Sequence, residues 1–181
     1  PGLCAALPAL TAADRKNLSL ASAFGVTGVM QSFVRSREDV EEVRTALCGT
    51  GLRHFAKLEN RAGLDSLEQW IRLPDVLVIA RGDLGNAVPL WELPGVQKRV
   101  AARARQAGKP FLVVTQMLAS MERTAVPTRA EVSDIFNAVL DGASALMLTG
   151  ETAAGRYPAE AMDYFCRTIR AAETFLREER N

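Results

Sequence analysis

Hydrophobic positions in this chain follow two alternating patterns: short unbroken apolar runs, and longer stretches in which apolar residues recur every three or four positions. The clearest run is Val76-Leu-Val-Ile-Ala80, which stops abruptly at Arg81, Gly82 and Asp83. Unbroken burial predicts a strand covered on both faces, and the Gly-Asp-Leu-Gly turn puts a carboxylate just past its end. Further strands are expected from Val26 to Val34, interrupted by Gly28, from His54 to Leu58, from Phe111 to Thr115 and from Ser144 to Leu148.

Helical spacing fills the gaps. Thr11-Ala-Ala-Asp14 starts a helix with Leu18, Leu20, Ala21 and Phe24 as its stripe, ending near Gly25. Ser36 starts a second helix, with Val40, Val43 and Leu47 on one side before Gly49 and Gly51. Leu64, Leu67, Trp70 and Ile71 recur until Pro74 forbids continuation. The stretch from Val96 to Ala107 is closed by Gly108, and Thr128-Arg-Ala-Glu131 is a capping box ahead of Val132, Ile135, Phe136, Val139 and Leu140. A last helix runs from about Ala159 to Arg177. Gly85 to Pro94 is expected as a connection, Met117 to Val126 as a short helix and loop, and Thr149 to Pro158 as a loop. Helix and strand thus alternate five times, which argues for a parallel sheet, in a β/α barrel or a doubly wound fold. Such sheets bind ligands at the carboxyl ends of their strands.

Composition narrows the reading. With 181 residues, 48% hydrophobic and 24% charged, the chain builds one substantial core, so residues 1–181 are read as a single domain. A net charge of +1, with no run of Lys and Arg, gives no preference for nucleic acid or a charged membrane. Cys4, Cys48 and Cys166 are odd in number and far apart, which fits a reducing compartment. No charged leader precedes a long apolar segment, and the apolar opening from Pro1 to Pro8 reads as a chain entered part-way.

Polar groups stand where strands end. Lys57 and Glu59 flank Leu58, so they project to one side of their strand, either as a plain surface ion pair or as site groups. If Asp83 comes from a neighbouring strand, two carboxylates meet, and a hard cation such as magnesium removes their repulsion. The Ala80-Arg-Gly-Asp83 corner offers successive amides to a carboxylate or phosphate. Arg81 either contacts the same anion or anchors another subunit or a loop carboxylate. Thr115 either donates or relays a proton, or caps a helix or is a buried hydroxyl. Thr149, Glu151 and Thr152 form a polar rim suited to phosphate or nucleotide, and His54 is read as structural.

Several of these segments, taken in order, resemble the pyruvate kinase family: Lys57-Leu-Glu59-Asn60, Ala80-Arg-Gly-Asp-Leu-Gly85, Thr115-Gln-Met-Leu118-Ala-Ser-Met121, Pro127-Thr-Arg-Ala-Glu-Val-Ser-Asp134 and Gly150-Glu-Thr-Ala-Ala-Gly155. The resemblance runs from about Leu7 to Ala172. It implies an α/β fold, a partial TIM-type (β/α)8 barrel with about five parallel strands, and phosphoryl transfer from phosphoenolpyruvate to ADP giving pyruvate and ATP in glycolysis. It further implies that Glu59 and Asp83 ligate magnesium, that Lys57 stabilises charge on the phosphoryl group and enolate oxygen, that the Ala80, Gly82 and Asp83 backbone holds the substrate carboxylate, and that Thr115 lies near the methylene carbon. A cytoplasmic location and a homo-oligomer or complementing chain are expected with it. Relative to the family pattern, the resemblance implies a stretch that begins after the first three barrel strands and the lid domain and stops before the C-terminal regulatory domain. An arginine for phosphate and the potassium ligands belong to the half before it, so potassium enters only if that half is supplied and turnover by this chain alone is in question. Gln31 stands where the family commonly has a small residue. Two alternatives use the same residues: a magnesium-dependent 2-oxo acid decarboxylase that stabilises an enolate, and a non-catalytic half-barrel that associates with a partner.

Overall fold

The expected helix starts carry their caps. The Thr11 hydroxyl accepts from the Asp14 amide while the Asp14 carboxylate accepts from the Thr11 amide, opening α1 (Ala12–Ala21). Strand β1 (Gly28–Gln31) follows, then α2 (Arg37–Leu47) behind Ser36, then β2 (Arg53–Leu58). Next come α3 (Arg61–Asp65), α4 (Leu67–Trp70), β3 (Val76–Ala80), α5 (Arg81–Ala87) and α6 (Leu93–Gln106). After β4 (Phe111–Val114) a 3-10 turn at Ala119–Glu122 leads to α7 (Arg129–Leu140), opened by the Thr128–Glu131 box. The chain closes with β5 (Ala145–Met147), α8 (Gly150–Ala153) and α9 (Pro158–Glu178). This computed structural model describes residues 7–179, so most of the apolar opening and Cys4 lie outside the described residues.

The five strands form one parallel sheet in the order β1-β2-β3-β4-β5, with α/β alternation as in part of a TIM-type barrel. Its two faces differ. Ala56, Leu58, Leu77, Ile79, Phe111 and Val113 share the larger core with Trp70, Val96, Val100, Ile135 and Phe165 from the helices. On the other face Val78, Ala80, Leu112 and Val114 form a smaller cluster with further strand residues, Phe55, Val76 and Met147. Period-2 alternation therefore divides each strand between a helix-covered side and an inner side. Among the described residues β1 and β5 each have one unpaired edge, and Met30 on β1 is 42% exposed.

Some boundaries depart from the pattern-based expectation. Strand β1 stops at Gln31 because Phe33 adopts φ +53, outside strand geometry. The helix expected around Leu64–Ile71 is broken at Ser66, whose hydroxyl donates to the carbonyls of Arg35 and Ala62, leaving two short helices. The Gly-Asp-Leu-Gly turn is the first turns of α5, so half of the expected connection is helical. No described helix is long and apolar enough to cross a membrane.

Gln31 and His54 explain each other. Gln31 lies on the helix-covered side, where its amide donates to the Asp39 carbonyl at 2.9 Å and its oxygen meets His54 Nε2 at 2.8 Å. His54 is thereby a neutral Nε2–H donor, and its Nδ1 has no partner among the described residues. Burial pushes this imidazole from the ordinary 6.5 down to about 4, against the pull of Asp75. An unfolded chain takes up that proton near 6.5 and the folded one only near 4. Stability contributed by neutral His54 is thus fully present above the upper value and is lost as pH falls between the two, on the order of 3 kcal/mol in all. Urea unfolding at pH 7 and pH 5 should show the larger part of this loss, about 2 kcal/mol, and His54→Gln should flatten it; an undiminished loss in the variant would assign the pH dependence elsewhere.

Candidate active site at the carboxyl ends of the strands

Register brings the predicted residues to one end of the sheet. Leu58 pairs with Ile79, Ala80 with Val114, and Val114 with Met147. Glu59, Arg81, Thr115 and Thr149 therefore leave the sheet along the same rim, at the position where parallel sheets bind ligands.

Lys57 and Glu59 form an ion pair, Nζ to Oε1 2.6 Å, with the Glu59 side chain 2% and the Lys57 side chain 22% exposed. The second Glu59 oxygen accepts from the Phe33 amide at 2.7 Å. A buried carboxylate held by an ammonium and a backbone N–H is fixed in place and compensated in charge. Phe33 was not singled out by sequence reasoning, since a contribution made through its amide carries no side-chain signal. Asn60 completes this lock, accepting from the Gly63 amide at 2.8 Å to cap α3 and donating to the Val34 carbonyl at 3.0 Å.

Asp83 sits in the first turn of α5, exposed to solvent, with no hydrogen bond or ion pair among the described residues. Beside it, Gly82 makes room for Thr115. A Cβ on Gly82 would lie 2.8 Å from Thr115 Cγ2. Thr115 and Gln116 have φ +83 and +55, a left-handed conformation that costs a β-branched or bulky residue about 1–3 kcal/mol. The Arg81 guanidinium turns to this strained turn and to α7: it donates to the Thr115 carbonyl at 2.9 Å and to Asp134 Oδ1 at 2.7 Å. The Arg81 side chain is thus an anchor, on a carboxylate of helix α7 rather than on a loop carboxylate.

The three rim residues fall into two roles. Both Glu151 oxygens are engaged, one by the Leu118 amide at 3.0 Å and the other by the Thr149 amide at 2.7 Å. Burial pushes this carboxyl up, but the Leu118 and Thr149 amides outweigh it and hold it below the ordinary 4.5. Glu151 thus ties the loop after β4 to the loop after β5, and its contribution is present above the usual carboxylate range and lost as pH falls through its lowered value. Glu151→Ala is expected to cost about 2–3 kcal/mol by leaving those two amides unpaired. Equal denaturant midpoints for variant and parent would refute the tie. Thr149 and the exposed Thr152 remain at the rim, with the Thr152 hydroxyl donating to the Thr149 carbonyl at 3.3 Å.

Among the described residues no group of three or more His, Cys, Asp and Glu gathers around one point. Glu59 and the unpartnered Asp83 nevertheless supply hard oxygen donors at adjacent strand ends. That donor set fits an ion such as magnesium, which takes the rest of its shell from water and substrate oxygens.

A family model described as "Pyruvate kinase, barrel domain" matches residues 1–162. The chain belongs to the pyruvate kinase family. It is 48% identical over 175 residues to the pyruvate kinase of Mycobacterium tuberculosis, covering 96% of this chain and 37% of that relative. To the pyruvate kinase of Sporosarcina psychrophila it is 44% identical over 178 residues, 95% of this chain and 30% of the relative. The crystal structure of a Cryptosporidium parvum pyruvate kinase superposes with a TM-score of 0.90 at 34% identity, covering 96% of this chain and 38% of that one. The chain thus spans about a third of the length of these pyruvate kinases.

Proposed function

We propose that residues 1–181 act as one partial catalytic barrel domain of pyruvate kinase type, moving phosphoryl from phosphoenolpyruvate to ADP in a cytoplasmic, glycolytic setting. The observation that carries this reading is the convergence of the Lys57–Glu59 pair, the free Asp83 carboxylate and the Gly82–Thr115 contact on one strand-end rim. In this reaction the P–O bond to the enolate oxygen breaks and a new one forms to the terminal oxygen of ADP. The enolate of pyruvate then takes a proton at its methylene carbon.

Glu59 and Asp83 would hold magnesium, which would supply Lewis-acid stabilisation of developing negative charge. Lys57 stabilises charge on the phosphoryl and enolate oxygens, where positioning and electrostatics do most of the catalysis. The backbone of Ala80, Gly82 and Asp83 receives the substrate carboxylate, Thr115 stands by the methylene carbon, and Thr149 and Thr152 line a nucleotide rim. Potassium enters with a complementing segment.

The open edges of β1 and β5 pair with a second copy or a complementing chain, because unpaired strand edges beside an apolar inner face favour association. Sedimentation at high dilution should show more than the monomer; a stable, well-folded monomer would argue against such pairing.

The functional test is coupled pyruvate formation with phosphoenolpyruvate, ADP, magnesium and potassium, on chain of verified mass and oligomeric state. Magnesium-dependent turnover lost on Asp83→Asn supports the reading. No turnover from folded, associated protein would reject independent catalysis, and oxaloacetate loss without ADP would replace phosphoryl transfer by decarboxylation.

A further inference from the structure

We propose that Arg81 and Asp134 form a positioning pair that holds Thr115 in its left-handed conformation and so aims the residue at the reacting carbon; this rests on the reading above for the carbon's identity. Thr115 follows β4 directly, and two successive non-glycine residues there, Thr115 and Gln116, have positive φ. Such a turn persists only where its surroundings over-determine it.

Two adjacent residues at the end of β3 provide those surroundings. Gly82 contributes by lacking a Cβ, which would press on Thr115 Cγ2. Arg81 contributes through its fork. One terminal nitrogen donates to the Thr115 carbonyl and lies 2.9 Å from Met117 Sδ. The other reaches Asp134 at 2.6–2.7 Å and Gln97 Oε1 at 3.3 Å. The Arg81 side chain is 11% exposed, so its charge needs a partner, and Asp134 on α7 is that partner.

The fork is what a lysine lacks. A planar guanidinium presents fixed parallel donors to several acceptors at once, whereas an ammonium is a point charge on a flexible stem. Asp134 sits in the second turn of α7, whose start is fixed by the Thr128–Glu131 box, and Glu131 also accepts from the amide and hydroxyl of Ser120. The outer helix and the loop after β4 are therefore braced together around the turn that carries Thr115.

Arg81→Lys and Asp134→Asn test the pair, each alone and in a Thr115→Ala background. The reaction readout is magnesium-dependent exchange of pyruvate methyl protons into deuterium oxide, and the binding readout is oxalate affinity by calorimetry. Each single change should slow exchange roughly 10-fold or more while moving oxalate affinity less than about 3-fold, and neither should slow it further once Thr115 is alanine. A general loss of structure would instead lower both readouts and add to Thr115→Ala. The backbone conformation of residues 115 and 116, read from crystal structures of parent and Arg81→Lys, decides the proposal even if the parent exchanges no protons. Relaxation of Thr115 out of the left-handed region supports the clamp; an unchanged φ near its present value overturns it. Absence of exchange in the parent counts only against the catalytic reading.

Discussion

Asp83→Asn is expected to weaken magnesium-dependent binding of phosphoenolpyruvate on the order of 100-fold, and to leave unfolding within about 0.5 kcal/mol of the parent. The two halves of this expectation have separate grounds. Asp83 is exposed and makes no hydrogen bond or ion pair among the described residues, so its carboxylate supports nothing in the fold. Its place in the first turn of α5, at the end of the central strand, instead leaves both oxygens open to a ligand. Glu59→Gln should weaken metal binding by a similar factor, but with a structural cost of about 2 kcal/mol, because the partly buried Lys57 ammonium then loses its charged partner. The glutamine carbonyl still accepts from the Phe33 amide, which limits that cost. Lys57→Met should behave differently again, depressing turnover far more than magnesium affinity, since its work is done where charge develops. Calorimetric titration of magnesium with phosphoenolpyruvate into all three variants, set beside their coupled turnover, separates these outcomes. Unchanged metal affinity in both carboxylate variants would remove Glu59 and Asp83 from the metal site.

What the sequence made legible follows from how each signal is encoded. Strands β3 and β4 announced themselves because nearly every residue in them is buried, so the apolar runs Val76–Ala80 and Phe111–Val114 are unbroken. Lys57, Glu59, Asp83 and Thr115 stand out as polar residues at the point where such a run stops, and the parallel register then brings them to one rim. Interactions made by the backbone, or across long stretches of chain, leave no such mark. The Phe33 amide on Glu59 spans 26 positions and uses no side-chain chemistry. Arg81 lies 53 positions from Asp134, and its neighbours gave equal reason to expect an anion ligand. Glu151 reads as a rim group next to two threonines, whereas a backbone amide 33 positions away claims one of its oxygens. The positive φ of Thr115 and Gln116 is invisible for a related reason: no glycine marks the turn, and the conformation is imposed by Arg81 and Gly82 from the neighbouring strand. Gln31 bonds the Asp39 carbonyl of α2 and the His54 imidazole rather than any rim group, so its contacts belong to the helix layer and not to the site.

Gly63→Ala is expected to cost about 3 kcal/mol and to loosen the site at the same time. A Cβ at this position would lie 2.3 Å from the Val34 carbonyl oxygen, a backbone atom that cannot rotate away. That carbonyl is itself held by the Asn60 side chain at 3.0 Å, so moving it strains the cap of α3. Gly63 also anchors the far side of the helix pair, its amide bonding Asn60 and its carbonyl accepting from the fully buried Trp70 indole at 3.1 Å. Relief therefore has to come from the segment around Val34, and the residue before it is Phe33, whose amide fixes Glu59. A shift there that left the sheet intact would still release one of the two contacts on the buried carboxylate. Urea unfolding should show the lower midpoint, and calorimetry on the still-folded fraction should show magnesium affinity reduced together with it. A stable variant with parental metal affinity would mean that the β1 to α2 segment yields freely, and that Glu59 does not depend on it for its position.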